Sequence, residues 1–241
     1  MKLSAVRLRA ALMLAGIMAL PAGLRGAGMF GRAVHRVPLT VGDVLSHMDD
    51  TARRLKTVSA HLTYTTVTVL VNDRATQVGA LFFRKGRRPE VLVRFSKPDT
   101  KVILFKKNRA EVYYPRINQI QEYDLERRRD LLQQFLLLGF GTGSGALEGT
   151  YHVRYLGEKP LHGTMTPVLE LTPIPKDVAA QLSKVDLWIS PQSWLPVQQE
   201  FFEASGDYLI ASYSQMRINE PLGPSVFKIR AKHGVERVKM N

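Results

Sequence analysis

Residues 79–125, GALFFRKGRRPEVLVRFSKPDTKVILFKKNRAEVYYPRINQIQEYDL, hold a succession of short runs rich in β-branched and aromatic residues (ALFF, EVLVRF, KVILFK, AEVYYP, IQEYDL). Between them stand RKGRRP, SKPDT, KKNR and PRIN, segments of Gly, Pro, Asn, Asp and charge that favour turns. Links this short make neighbouring strands antiparallel, because a parallel crossover needs about a dozen residues or more. The stretch therefore predicts a meander.

Working outward, the same texture continues in both directions. Upstream, SAHLTYTTVTVLV (59–71) and the start of QVGALFF (77–83) add strands; downstream come YHVRYLG (151–157), PVLELTPI (167–174), KVDLWIS (184–190), PVQQEFF (196–202), YLIASYSQMRIN (208–219) and FKIR (227–230). Two segments break the pattern. In PLTVGDVLSHMDDTARRLKTV, apolar Val44, Leu45, Met48, Ala52 and Leu55 recur at helical spacing behind a Thr40/Asp43 capping box, predicting a helix over 41–57. The charged start LERRRD (125–130) then leads into LLQQFLLLGFGTGSG (131–145), an apolar helical segment with a glycine-rich tail. A dozen strands could close into a barrel, stack as a sandwich or curl into an open half-barrel. A closed barrel has no need of two large apolar helical stripes, whereas an open concave sheet must cover its inner face.

The N-terminus reads as an export signal. MKLSAVRLR is positive, AALMLAGIMAL is apolar, Pro21 interrupts it and GAG offers small residues for cleavage. The apolar run is too short to span about 30 Å of hydrocarbon, so residues 1–28 are expected to be removed, leaving residues 29–241 as a single domain. With no Cys in the chain, neither a disulfide nor a lipid attached to a cysteine is available; a soluble, extracytoplasmic protein is expected. Removal of Lys2, Arg7, Arg9 and Arg25 lowers the formal charge from +13 to +9, a basicity that suits solubility or anionic headgroups. Nucleic acid fits an exported chain less well, and RKGRR and ERRR lack the interleaved aromatics of a stacking platform.

Catalytic motifs fail on spacing. Gly139, Gly141, Gly143 and Gly145 alternate, without the third glycine of a dinucleotide loop or the Lys-Ser/Thr of a phosphate loop. Thr142 occupies the upstream glycine position of a nucleophile elbow at Ser144. No His stands three or four residues from another as a zinc pair would. His47, Asp49 and Asp50 cluster in sequence but point different ways on a helix, and Glu122 and Asp124 share a strand face that alternation toward solvent explains. Neither a cofactor nor a metal is expected, and no enzymatic activity.

The order of features across residues 79–125 resembles the central part of LolA-type outer-membrane lipoprotein carriers: a Gly-x-hydrophobic-aromatic strand, Arg-Pro, an alternating strand ending at Pro, and an Asp-led turn reaching Tyr-x-Pro. The tail GDYLIASYSQMRINEPLGPSVFKIRAKHGVERV is similar to the family's ending, with Asn-x-x-Leu, a Phe strand and a closing Gly-Val. RKGRRP is longer than the usual Lys-Arg-Pro, and the strand between Pro89 and Pro98 is one residue shorter. The resemblance implies a mainly β fold, a curved, open antiparallel half-barrel of about 11–12 strands with helices covering a concave hydrophobic face. It implies a periplasmic, monomeric, non-enzymatic carrier that ferries lipoprotein acyl chains, or a related lipid, from inner to outer membrane. Its expected partners are an inner-membrane release complex, an outer-membrane receptor and, transiently, the membrane. The alternative is a half-barrel module of the RseB kind that senses a lipid or protein without transporting it; a third reading is an exported hydrolase.

Within this frame Val91, Val93 and Phe95 are expected to line the cavity, with Leu92 and Arg94 pointing away because Arg94 suits a greasy interior poorly. Phe82, Met48, Leu55 and Phe140 join the cavity set. Leu132, Phe135 and Leu136 share a face of the lid segment, with GFGTGSG as its hinge. By resemblance Arg88, directly before Pro89, is the latch that ties the sheet to backbone carbonyls of the covering helices, although Arg84, Lys85 and Arg87 lie in the same turn.

Overall fold

The capping box forms as its residues dictate. In the computed structural model, which describes residues 38–107, 109–124 and 138–240, the Thr40 hydroxyl accepts from the Asp43 amide at 3.2 Å and the Asp43 carboxylate accepts from the Thr40 amide at 2.8 Å. This caps helix α1 (Val41–Arg54), which ends with Arg53 and Arg54 at its negative terminus. The described residues lie in one unit that runs from Pro38. The export signal (1–28) and Leu132, Phe135 and Leu136 lie outside the described residues.

Among the described residues twelve strands follow: β1 (Thr57–Thr68), β2 (Asp73–Arg84), β3 (Glu90–Lys97), β4 (Lys101–Lys106), β5 (Arg109–Tyr114), β6 (Gln119–Asp124), β7 (Tyr151–Leu161), β8 (Thr164–Pro173), β9 (Leu182–Ile189), β10 (Pro196–Glu203), β11 (Tyr208–Ile218) and β12 (Glu236–Met240). Short helices α2 (Ser144–Glu148) and α3 (Lys176–Ala179) precede β7 and β9. All strands join one sheet in the order β12-β6-β5-β4-β3-β2-β1-β11-β10-β9-β8-β7. Its two end strands do not pair, so the sheet is open, as the need to cover an inner face implied. It consists of two meanders, β1–β6 and β7–β11, joined where β1 pairs antiparallel with β11, and of β12 added at the β6 edge.

The register carries one apolar face through the sheet. Leu62 faces Tyr213 on β11; Ala60 faces Leu81 on β2, Leu81 faces Val93 on β3, and Val93 faces Ile103 on β4. Curvature follows from what this face encloses: β4 and β10 stand five strands apart in the order, about 24 Å on a flat sheet at ~4.8 Å per strand, yet side chains of both line one small cavity.

Two expectations need correction. FKIR (227–230) is not a strand. Phe227, only 1% exposed, plugs the outer face against Leu92 and Leu104, flanked by Leu222, Val226 and Ile229, and the Arg84 guanidinium stacks 4.4 Å from its ring centroid. The segment between β11 and β12 is therefore a strap over the back of β3 and β4. The twelfth strand is β12, which pairs parallel with β6 and covers that edge. Phe82, expected in the cavity, also lies on the outer face, since it pairs with Leu92 and packs under the strap.

Candidate functional site

The inner face divides into a filled half and a hollow half. Over β8–β10, α1 inserts Val44, Leu45 and Met48 against Leu169, Leu171, Val185, Leu187 and Phe201. Over β1–β4 and β10–β11 the same face bounds a cavity of about 340 Å3, lined by Leu62, Tyr64, Leu81, Val93, Phe95, Lys101, Ile103, Phe105, Phe201, Leu209, Ala211 and Tyr213. That volume lies at the lower end of the ~300–1,000 Å3 typical of small-ligand sites.

Three of the lining side chains carry polar atoms. The Tyr213 hydroxyl donates to Gln199 Oε1 at 2.7 Å, and Gln199 Nε2 donates to the Leu138 carbonyl at 2.6 Å. This satisfies a fully buried amide while tying the sheet to the segment that crosses it. Burial pushes the Tyr213 phenol far up, and it raises Tyr64 as well, helped there by the negative charge of Glu203. Both rings stay neutral. Lys101 places Nζ 4.9 Å from the Phe95 ring centroid, and burial lowers its pKa. Among the described residues no carboxylate or imidazole contributes to the lining.

Of the residues expected in this site, Val93 and Phe95 line the cavity, and Val91 lies on the same face one pair farther along. Met48 and Leu55 are buried packing rather than lining, the first on the inward face of α1 and the second beside Phe83 and Phe140. Phe140 stands behind the cavity, its ring edge-on to Tyr213 at 5.0 Å. It borders a second recess of about 390 Å3 with Phe83, Lys85 and Arg87. Alternation along β3 identifies the lining, but the contributions of β1, β4, β10 and β11 require the pairing of distant strands. Gln199 carries no local signal at all.

The glycine-rich tail is a fitted path rather than a loose hinge. Leu138 and Phe140 are buried, while Gly139 and Gly141 between and beside them adopt φ of +81° and +71°. At Gly139 a Cβ would meet Pro196 Cγ at 2.5 Å. Only glycine tolerates both conditions. Farther along, Asp49 of α1 accepts from the Ser144 amide and hydroxyl, both at 2.6 Å.

Those two bonds hold the Asp49 carboxyl below its ordinary value, the hydroxyl having the larger effect. A depressed folded pKa stabilises above the unfolded value and loses its contribution as pH falls through the folded one. The melting-temperature advantage of wild type over Asp49→Asn is expected to be constant well above pH 3.8 and to vanish on acidification below it. An advantage independent of pH would contradict the carboxylate clamp.

The described tie between this turn and α1 is made by Lys85, a neighbour of Arg88, while the lid segment that Arg88 was expected to hold lies outside the described residues. Arg88 is exposed and has no hydrogen bond to a described residue, whereas Lys85 Nζ donates to the Ala52 carbonyl of the last turn of α1 at 2.6 Å. An ammonium suits a helix C-terminus, where carbonyls lack amide partners. Arg84 is engaged elsewhere, its Nε donating to Glu90 at 2.8 Å. Lys85→Met is expected to cost about 0.5–1 kcal/mol in urea unfolding and to speed ligand release, with Arg88→Leu like wild type; the opposite ranking would return the tie to Arg88.

No protein-family model matches the chain, and no curated protein matches it in sequence. Solved structures do match. An uncharacterized conserved protein from Thermus thermophilus superposes with a TM-score of 0.53 at 11% identity, over 83% of this chain and 98% of the other. A putative outer membrane lipoprotein-sorting protein domain from Vibrio parahaemolyticus gives 0.42 at 14%, over 76% and 95%. A LolA superfamily protein from Nitrosomonas europaea gives 0.39 at 17%, over 79% and 98%. The fold is an open half-barrel, shared with the Thermus structure, and at these identities the likeness is one of fold alone.

Proposed function

We propose that this chain is a non-catalytic periplasmic carrier. It shields acyl chains of lipoproteins, or of a related lipid, in the inner-face cavity and carries them between an inner-membrane donor and an outer-membrane acceptor. The observation that carries this reading is the lining itself: among the described residues it is hydrocarbon, interrupted by two phenols and one lysine. Such a surface offers nothing to a reacting bond and much to a methylene chain. An acyl chain of about sixteen carbons left in water costs roughly 13 kcal/mol at ~0.8 kcal/mol per methylene, so a lipid crossing an aqueous space needs an apolar wrapper. One wall must also yield for release.

Native mass spectrometry of protein purified from the cell envelope tests this. A copurifying acylated species is expected, displaceable by a fluorescent fatty acid. Absence of any bound lipid, with no uptake of the fatty acid, would sink the carrier. Lipid that is bound but never passed to acceptor vesicles would instead identify a sensing module.

A further inference from the structure

One end of the half-barrel presents hydrocarbon to solvent in a way the cavity does not explain. The β1–β2 hairpin is paired as far as Thr68 and Asp73, while β3 leaves β2 at Val78. The hairpin thus overhangs its neighbour by five residues, roughly 16 Å at ~3.3 Å per residue. Its tip reads Val69, Leu70, Val71, exposed by 53%, 93% and 67%. The overhang roofs a recess of about 570 Å3 whose other walls are the β3–β4 and β5–β6 turns, including Ile117, itself 64% exposed. Lys101 borders both this recess and the apolar cavity. The recess under the overhang therefore adjoins the cavity at the end where the tip projects.

The same turns reach a basic surface. Thr100 borders the recess and also a hollow of about 500 Å3 on the outer face, ringed by Arg94, Lys228, Arg230 and Lys232 with no acidic residue in its lining. Among the described residues none of these four cations is in an ion pair. Nearby acids are mostly engaged: Asp99 pairs with Arg116 at 2.8 Å and Asp207 accepts from the Val69 amide at 2.9 Å, leaving Asp73 at the hairpin.

We propose that this end is a membrane-docking face whose occupant is the surface of an anionic phospholipid bilayer. Leu70 and its neighbours enter the boundary between headgroups and acyl chains, and the four cations take the phosphates. Interfacial binding needs both elements, because a few apolar side chains or a few charges alone give only marginal adsorption. Docking in this pose sets the cavity beside the lipid. The inference stands whatever the cavity holds, since it rests on the hairpin and strap.

Flotation with vesicles tests it, using the protein as the cell matures it, with the N-terminus read by mass spectrometry. Wild type is expected to bind vesicles of phosphatidylcholine with phosphatidylglycerol and to bind phosphatidylcholine alone weakly. Leu70→Asp should lower partitioning to the mixed vesicles at least ~10-fold. Combined Lys228→Gln, Arg230→Gln and Lys232→Gln should lower it by about fivefold per charge removed and abolish the preference for phosphatidylglycerol. Leu70→Trp should show blue-shifted emission on mixed vesicles, and every variant should keep wild-type melting and fatty-acid uptake in solution. Failure of wild type to bind either vesicle, equal binding to both, or wild-type binding by Leu70→Asp would overturn the proposal.

Discussion

Ile103→Glu is expected to abolish retention of an acyl chain while leaving the protein folded. Ile103 lies mid-strand in β4, half-buried, opposite Val93 and Val112, and its side chain lines the cavity. A carboxylate there can hydrate through the hollow it borders, so the fold tolerates it. Hydrocarbon pressed against it would strip that water without supplying a partner, a cost on the order of 3 kcal/mol, or roughly a hundredfold in affinity. Val93 is a poorer probe because it is almost wholly buried, and glutamate there would unfold the sheet. Titration with a fluorescent fatty acid beside a thermal melt decides the matter. Undiminished binding by Ile103→Glu would mean that the cavity is not the acyl site.

Phe227→Ala should do the opposite, losing about 3–5 kcal/mol of stability with acyl binding unchanged while the protein remains folded. Phe227 anchors the strap, filling the space over Leu92 and Leu104 on the side of the sheet away from the cavity. Its removal opens a hole beneath a segment with few other apolar anchors and strips Arg84 of its ring partner. Urea unfolding measures the loss; a change below about 1 kcal/mol would show that the strap is held by something else.

The strands were legible because alternation is local, and α1 because its cap and stripe are. Which faces coincide was not. Val91, Val93 and Phe95 announce one face of β3, yet whether Phe82 joins them depends on the β2–β3 register, and the pairing of Phe83 with Val91 turns Phe82 outward. FKIR alternates like a strand, but its Phe and Ile satisfy that pattern by lying on the sheet rather than within it. The true β12, ERVKM, is mostly polar and hardly stands out in sequence. That Lys85 ties to α1 was hidden for a similar reason: reach to the Ala52 carbonyl is set by how the lengthened turn folds, and no motif encodes that distance.

The seam between β1 and β11 bears on how such a cavity is emptied. It pairs residues as distant as Val58 and Ile218, and the cavity takes Leu62 and Tyr64 from one bank and Leu209, Ala211 and Tyr213 from the other. Neither meander encloses the cavity alone, so under the proposed function occupancy and zipping of the seam would be one linked equilibrium, each ligand bound adding RT ln(1 + [L]/Kd) to the zipped form. Linkage runs in reverse as well: a factor that pries β1 from β11 evicts the ligand without ever touching it.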